Sequence, residues 1–287
     1  RAGSPREGAL TGLAFGLGFF LTGVSWVYVS LSVFFCMPGE LAGIAGFLLC
    51  SVTPLFPMLA GWAFKRWQSV RFWQQVLFFA VLIAAVDWLR SWIFTGFPWL
   101  AVGHSQAPPS PLAGFAPLLG VHGLSLVVAL AGAALLRWRV GVAVVAVLAL
   151  AGFGLRQVHW TEPVGAPVSV ALIQGNVPQE MKFNPAAFLH TLNLYLELIE
   201  QNPAQLTLLP ETALPSFFNS LPPRYVDALN KAVRAHGGDL IAGTLLGERE
   251  SYWNGAVSLG VSPIQTYSKR HLVPFGEFIP PGFAWFM

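Results

Sequence analysis

Five apolar stretches fill the first half of the chain and leave it few ways to fold. They run from Ala9 to Phe34, Leu41 to Phe64, Gln74 to Phe94, Leu118 to Leu136 and Val140 to Leu155. Each is near the roughly 17–25 residues that a helix needs to cross a hydrocarbon layer. Of the 287 residues, 55% are hydrophobic and 10% charged, against about 25% charged in a soluble domain. With a mean hydropathy of +0.61, this composition excludes a disordered chain, a basic nucleic-acid-binding domain and an ordinary cytosolic enzyme. Much of the chain belongs in lipid.

The net charge of +3 looks like affinity for an anion until the charges are placed. The basic excess lies before residue 164, and the remainder is slightly acidic. Arg1 and Arg6 precede the first stretch, Lys65, Arg66 and Arg71 follow the second, and Arg137 and Arg139 follow the fourth. The connections Cys36–Glu40 and Thr95–Pro117 carry no Lys or Arg. By the positive-inside rule the N-terminus is expected in the cytoplasm and everything after Leu155 outside. No cleavable signal peptide is visible. Cys36 and Cys50 make neither a CxxC nor a zinc spacing and read as buried packing residues.

From about Ala166 the pattern changes. PVSVALIQGNV reads as a strand ending at a Gly-Asn turn, and Asn184-Pro185 opens a helix with Phe188, Leu192, Tyr195, Leu196 and Ile199 at helical spacing. LTLLPE reads as a short buried strand and PPRYVDALNKAVRAHGG as a second helix. Short strands are expected in DLIAGTLL, NGAVSLG and IQTYSK. Such alternation implies a layered α/β domain with a partly parallel sheet, whose chemistry gathers at the carboxyl ends of strands.

Several residues could carry chemistry. Glu211, in LLPETALP, follows a strand and sits between prolines, where partial desolvation would make it a useful base; a helix-capping acid is the plainer reading. Lys269, Arg270, His271 and Glu277 crowd a segment stiffened by Pro274, Gly276, Pro280 and Pro281. A cation held near Glu211 could stabilise an oxyanion, whereas a solvated charge cluster is the alternative, and the better one for Arg270. In the apolar half, Asp87 and Arg90 share a helix face, as a neutralising pair or as a contact for a substrate headgroup. Phe97 and Trp99 flank Pro98 at the outer end of that span, either as interface anchors or as the edge of a lipid entrance.

Taken in order, GVSWVYVS (23–30), TGFPWL (95–100), ALIQGNVPQ (171–179), LPETALP (209–215) and KRHLVPFGEFIP (269–280) resemble the apolipoprotein N-acyltransferase family of the Gram-negative inner membrane. The resemblance runs from the first span to the last residue. It implies an α-helical transmembrane bundle, here residues 1–160, joined to a periplasmic α/β domain of the nitrilase type, an αββα sandwich of which residues 164–287 are the N-terminal part. It implies phospholipid as acyl donor, the diacylglyceryl-cysteine of an apolipoprotein as acceptor, membrane as surroundings, and no nucleic acid, metal or other cofactor. The family's Glu-Lys-Cys set places its glutamate on Glu211 and its lysine on Lys269, with a further glutamate on Glu277. The nucleophilic cysteine is expected beyond Met287, and two spans before Arg1 with one after the soluble domain are expected on the same ground. Phe183 stands where relatives can carry Trp and offers an apolar surface to a lipid tail. With Phe97 and Trp99, the pair Phe217–Phe218 is a candidate for the lip that admits it.

The implied mechanism has two steps. Glu211 takes the thiol proton, the cysteine attacks the phospholipid ester, and Lys269 stabilises the oxyanion; the acceptor amine, deprotonated by Glu211, then attacks the thioester. Glu277 would position Lys269 or Glu211. Two other readings are a membrane-tethered nitrilase-type amidase and a non-catalytic transporter with Asp87 and Arg90 in its pathway.

Overall fold

The computed structural model describes residues 3–34, 37–67, 69, 71–93, 96–107, 109–248, 251–273 and 277–278. Cys36, Phe94, Thr95, Pro274, Gly276, Pro280 and Pro281, singled out above, lie outside them. The chain forms two compact units, Arg1–Pro163 and Val164–Met287.

The first unit is helical. Helix α1 (Pro5–Gly23) opens on a capping box in which the Ser4 hydroxyl accepts from Glu7 N–H and the Glu7 carboxylate accepts from Ser4 N–H, with Pro5 in the first turn. A short α2 (Trp26–Val29) and a π-helical turn (Ser30–Phe34) follow. The first apolar stretch is therefore a pair of helices bent by 45° and not one straight rod. The bend falls where Thr22 and Ser25 turn their hydroxyls onto the carbonyls of Gly18, Phe19 and Thr22, which loosens the helical ladder. Helices α3 (Gly39–Val52) and α4 (Leu55–Trp67) succeed one another across Thr53–Pro54, and α5 (Phe72–Arg90) comes next.

A ridge of small residues brings α1 and α4 together. A Cβ on Gly8 would lie 2.3 Å from the Gly61 carbonyl oxygen, and one on Gly61 would lie 2.2 Å from that of Gly8. The backbones touch, as small-residue repeats allow in lipid. Helices α6 (Ala116–Ala134) and α7 (Trp138–Leu155) belong to one apolar stretch of 45 residues, Pro111–Leu155. At 1.5 Å per residue a straight helix of that length would reach about 65 Å, twice a bilayer core. The stretch instead folds back through a tight turn at Leu135–Arg137, so that Gly152 abuts Gly114 near its start. Cys50 is buried, packed with Phe20 and Val24.

Among the described residues the second unit is built on a six-stranded sheet: β1 (Val170–Leu172), β2 (Leu206–Leu208), β3 (Leu214–Phe217), β4 (Asp239–Glu248), β5 (Ser251–Gly260) and β6 (Thr266–Ser268). Their order is β1-β2-β4-β5-β6, with β3 also paired to β4. The first three strands of that order are parallel, and β5 and β6 add antiparallel neighbours. Helices α8 (Pro185–Gln201) and α9 (Pro223–Arg234) cover one face. Leu192, Tyr195 and Ile199 of α8 and Tyr225, Leu229 and Val233 of α9 pack on Leu240, Ala242, Val257 and Leu259. Each of the buried Leu, Ile and Val side chains contributes roughly 1.5–3 kcal/mol by leaving water. Val170, Leu172, Ile241 and Tyr267 point to the opposite face and are exposed, so one helical layer and one sheet of the expected sandwich are seen.

Candidate active site

Strands β2 and β3 lie along the same edge of β4: Leu208 is opposite Ile241, and Leu214 is opposite Thr244. Five residues, Leu209–Ala213, therefore face only two, Ala242 and Gly243, and the surplus must loop out. It does so as a turn closed by the Ala213 N–H donating to the Pro210 carbonyl at 3.2 Å. Thr212 takes a left-handed φ of +50°, which is strained for a β-branched residue and clusters at functional sites. Glu211 is at the crest. Gly243 lies directly beneath, where a Cβ would sit 2.4 Å from the Pro210 carbonyl oxygen and 2.5 Å from the Thr212 nitrogen.

Lys269 follows β6, and its N–H donates to the Asn254 carbonyl at 2.8 Å. Its Nζ donates to Glu277 Oε1 at 2.8 Å and to Glu211 Oε1 at 3.4 Å. Asn254, on β5, donates from Nδ2 to the same two oxygens, at 3.1 Å for Glu277 and in a short contact for Glu211. Glu277 Oε2 accepts the Val273 N–H at 2.8 Å. The ammonium of Lys182 donates to the Glu211 carbonyl at 2.9 Å. Of these groups Glu211, Asn254 and Lys269 line a cleft of about 220 Å3, together with Leu209, Ile241 and Gly243.

The electrostatics follow from these contacts. The hydrogen bond to Glu277 raises the Lys269 ammonium above its ordinary range, and the Glu211 charge adds to the effect. Burial pushes Glu277 up, but Lys269, the Val273 N–H and Asn254 outweigh it and hold the carboxyl below its ordinary value. Both groups are charged at neutral pH. The Glu211 side chain is 63% exposed, so the partial burial expected from its sequence is not found. Of the four carboxylate oxygens, Glu211 Oε2 has no partner among the described residues. Lys269 has three N–H donors and spends two of them on the carboxylates. The cluster can thus offer one open proton acceptor and one open cationic donor. Arg270 and His271 are exposed.

Sequence reasoning brought Glu211, Lys269 and Glu277 to one place and missed Asn254, Gly243 and Lys182. Asn254 opens NGAVSLG, which reads as a strand, and nothing in its spacing announces a bond to residues 43 and 23 positions away. Among the aromatic candidates, Phe183 is exposed on the turn before α8, Phe217 meets the Tyr252 ring edge-on at 6.0 Å, and Phe218 packs against the core.

In the helical unit, Trp99 is exposed and meets Trp26 at 5.1 Å, while Phe97 packs on the Phe20–Val24–Cys50 cluster. Asp87 and Arg90 form a buried pair at 3.1 Å. Arg90 also donates to the carbonyls of Phe97 and Trp99. Asp87 accepts from the Val102 N–H at 2.9 Å and the Ser125 hydroxyl at 2.7 Å. The pair is consumed in holding the 97–102 loop, as the neutralising reading expects.

Residues 1–134 match the family model described as apolipoprotein N-acyltransferase N-terminal domain, and residues 169–285 match the carbon-nitrogen hydrolase family. A protein of Nitrosomonas europaea named apolipoprotein N-acyltransferase is 46% identical over 300 residues, covering 99% of this chain and 59% of its own length. Proteins of the same name from Ralstonia nicotianae and Chromobacterium violaceum are 40% and 38% identical, covering 98% and 97% of this chain. The chain spans 56–59% of the length of these relatives. With a helical unit and a nitrilase-type unit in the same order, and identity along nearly all of its residues, the chain belongs to the apolipoprotein N-acyltransferase family.

Proposed function

We propose that the protein to which this chain belongs transfers an acyl chain from a phospholipid to the α-amino group of a diacylglyceryl-cysteine at the start of an apolipoprotein. The observation that carries this reading is the Glu211–Lys269–Glu277 cluster, with one carboxylate oxygen and one ammonium N–H left open, inside a nitrilase-type unit joined to apolar helices. In the first step Glu211 Oε2 takes the proton of a cysteine thiol, whose sulfur attacks the ester carbonyl. The third N–H of Lys269 meets the developing oxyanion. A lysophospholipid leaves with the proton, and a thioacyl-enzyme remains. In the second step Glu211 takes a proton from the acceptor amine, which displaces the thiolate and becomes the amide. Glu277 keeps Lys269 charged and aimed. The nucleophile is proposed to lie outside these 287 residues, in the part of the relatives that this chain does not span.

We further propose that residues 1–160 cross the inner membrane five times, with α6 and α7 counted separately, and that residues 164–287 lie in the periplasm; the distribution of Arg and Lys supports this orientation. Trp99 in the helical unit and Phe183 in the sheet unit each present an exposed ring; with Phe97, Phe217 and Phe218 they are proposed, each within its own unit, as apolar surfaces for lipid. The test is Glu211→Gln in the full-length protein with phospholipid in detergent micelles. Loss of the thioester, read as a hydroxylamine-sensitive gain of one acyl mass, is expected with membrane insertion unchanged. Acylation at the parent rate would remove Glu211 from the mechanism. An amidase would instead hydrolyse a soluble amide without lipid.

A further inference from the structure

Glu211 and Glu277 share one cation between them, and two carboxylates so placed repel unless other donors intervene. The Asn254 amide is that second donor. Its two N–H bonds go to the Oε1 atoms of Glu211 and Glu277, the same atoms that take Lys269 Nζ. Its backbone carbonyl also accepts the Lys269 N–H at 2.8 Å, so one residue fixes both the side chains and the main chain of the cluster.

We propose that Asn254 is a positioning residue for proton transfer, holding the two carboxylates in register about the one ammonium and leaving Glu211 Oε2 as the open acceptor. The inference rests on the reading of Glu211 as the group that takes the proton. A neutral donor is required at this position. A second cation would draw the Lys269 carboxylates away, and a carboxylate would add a third negative charge. The titratable groups facing the amide are Glu211 on the turn, Lys269 and Tyr267 at the end of β6, and Glu277; Lys182 reaches the Glu211 carbonyl from the segment before α8.

The experiment uses the full-length protein, timing thioester formation from phosphatidylethanolamine in detergent micelles between pH 5 and 9. Asn254→Asp, nearly isosteric and charged, is expected to move the acid limb of the profile upward by about one unit or more, since a carboxylate among carboxylates takes up a proton. Asn254→Ser, neutral with a single donor, should slow the step about tenfold and move the limb less. KM for the phospholipid should stay at the parent value in both. A role confined to folding would lower the rate evenly at every pH. Limbs that coincide with the parent's in these variants overturn the proposal; if Asn254→Asp does not fold, Asn254→Ser decides. For a variant too slow to time, the carboxyl carbons of 13C-glutamate-labelled protein are titrated by NMR, with the same upward shift expected and an unmoved titration counting against it. Glu211→Gln separates the two claims. If it acylates normally the reading of the site falls, whereas if it is silent while the limbs do not move, the role of Asn254 alone falls.

Discussion

Gly243→Ala tests whether the Glu211 turn owes its position to the missing side chain beneath it. The glycine does not occupy a left-handed conformation, so alanine meets no backbone penalty and the perturbation is purely one of contact. The new methyl would lie 2.4 Å from the Pro210 carbonyl oxygen, 2.5 Å from the Thr212 nitrogen and 2.8 Å from the Glu211 Cα, against ordinary contact beginning at 3.4 Å. All three atoms are backbone and none can swing aside, so the turn must retreat by about 1 Å and take Glu211 with it. The Lys269–Glu211 contact, already 3.4 Å, then opens beyond hydrogen-bonding reach. Overpacking of this kind costs about 1–3 kcal/mol of stability, and a displacement near 1 Å at a reacting group costs roughly 100-fold in rate. Thioester formation by the full-length protein reads the second quantity, and a thermal melt of the same preparation reads the first. A variant that acylates within about twofold of the parent would refute the argument that this close approach places the carboxylate.

Arg90→Ala should destabilise the helical unit by about 3–5 kcal/mol, because it strands the buried Asp87 carboxylate. Asp87→Asn keeps the shape and should cost less, a ranking read from thermal unfolding in detergent and contradicted by equal losses. The ion pair of Lys269 and Glu277 sets a pH window. Glu277 is held below its ordinary value of 4.5, so its contribution is full above that pH and is lost as pH falls through the depressed value. Lys269 is held above 10.5, so its contribution is full below that pH and is lost as pH rises through the raised value. The melting temperature should therefore lose this contribution only outside about pH 4.5–10.5. Glu277→Gln should flatten the acid side, and an unchanged acid slope would show that the pair does not carry it.

Much of the architecture was legible because single residues announce it. Asn184 caps α8 by accepting from the Ala186 N–H at 2.9 Å, Pro223 opens α9, and the apolar spacing of both helices matches the face they bury. Glu211 and Lys269 could be placed because each follows a run of strand residues. Strand β3 escaped notice since Leu-Pro-Ser-Phe is short and has proline inside it, and its pairing depends on β4 more than on its own sequence. The bend at Gly23–Ser25 is equally silent, because Thr22 and Ser25 are compatible with a continuous helix until their hydroxyls turn inward. Asn254 and Gly243 work through partners far away in the chain, and no local pattern records such contacts. The Gly8–Gly61 approach is an intermediate case: the repeat Gly8, Gly12, Gly16 is visible, but its partner helix is not.

The loop that Arg90 and Asp87 hold is gripped through main-chain atoms alone: two carbonyls by the guanidinium and one N–H by the carboxylate. Peptide groups are common to every residue, so this clasp itself asks nothing of the side chains that project from residues 97–102. Phe97 and Leu100 add side-chain packing against Phe20, Val24 and Cys50, whereas Trp99 is exposed and can be exchanged without releasing the clasp. At Trp99 the scaffold and the surface it displays are thereby separable, and the exposed ring can be replaced while the helices beneath it stay unaltered.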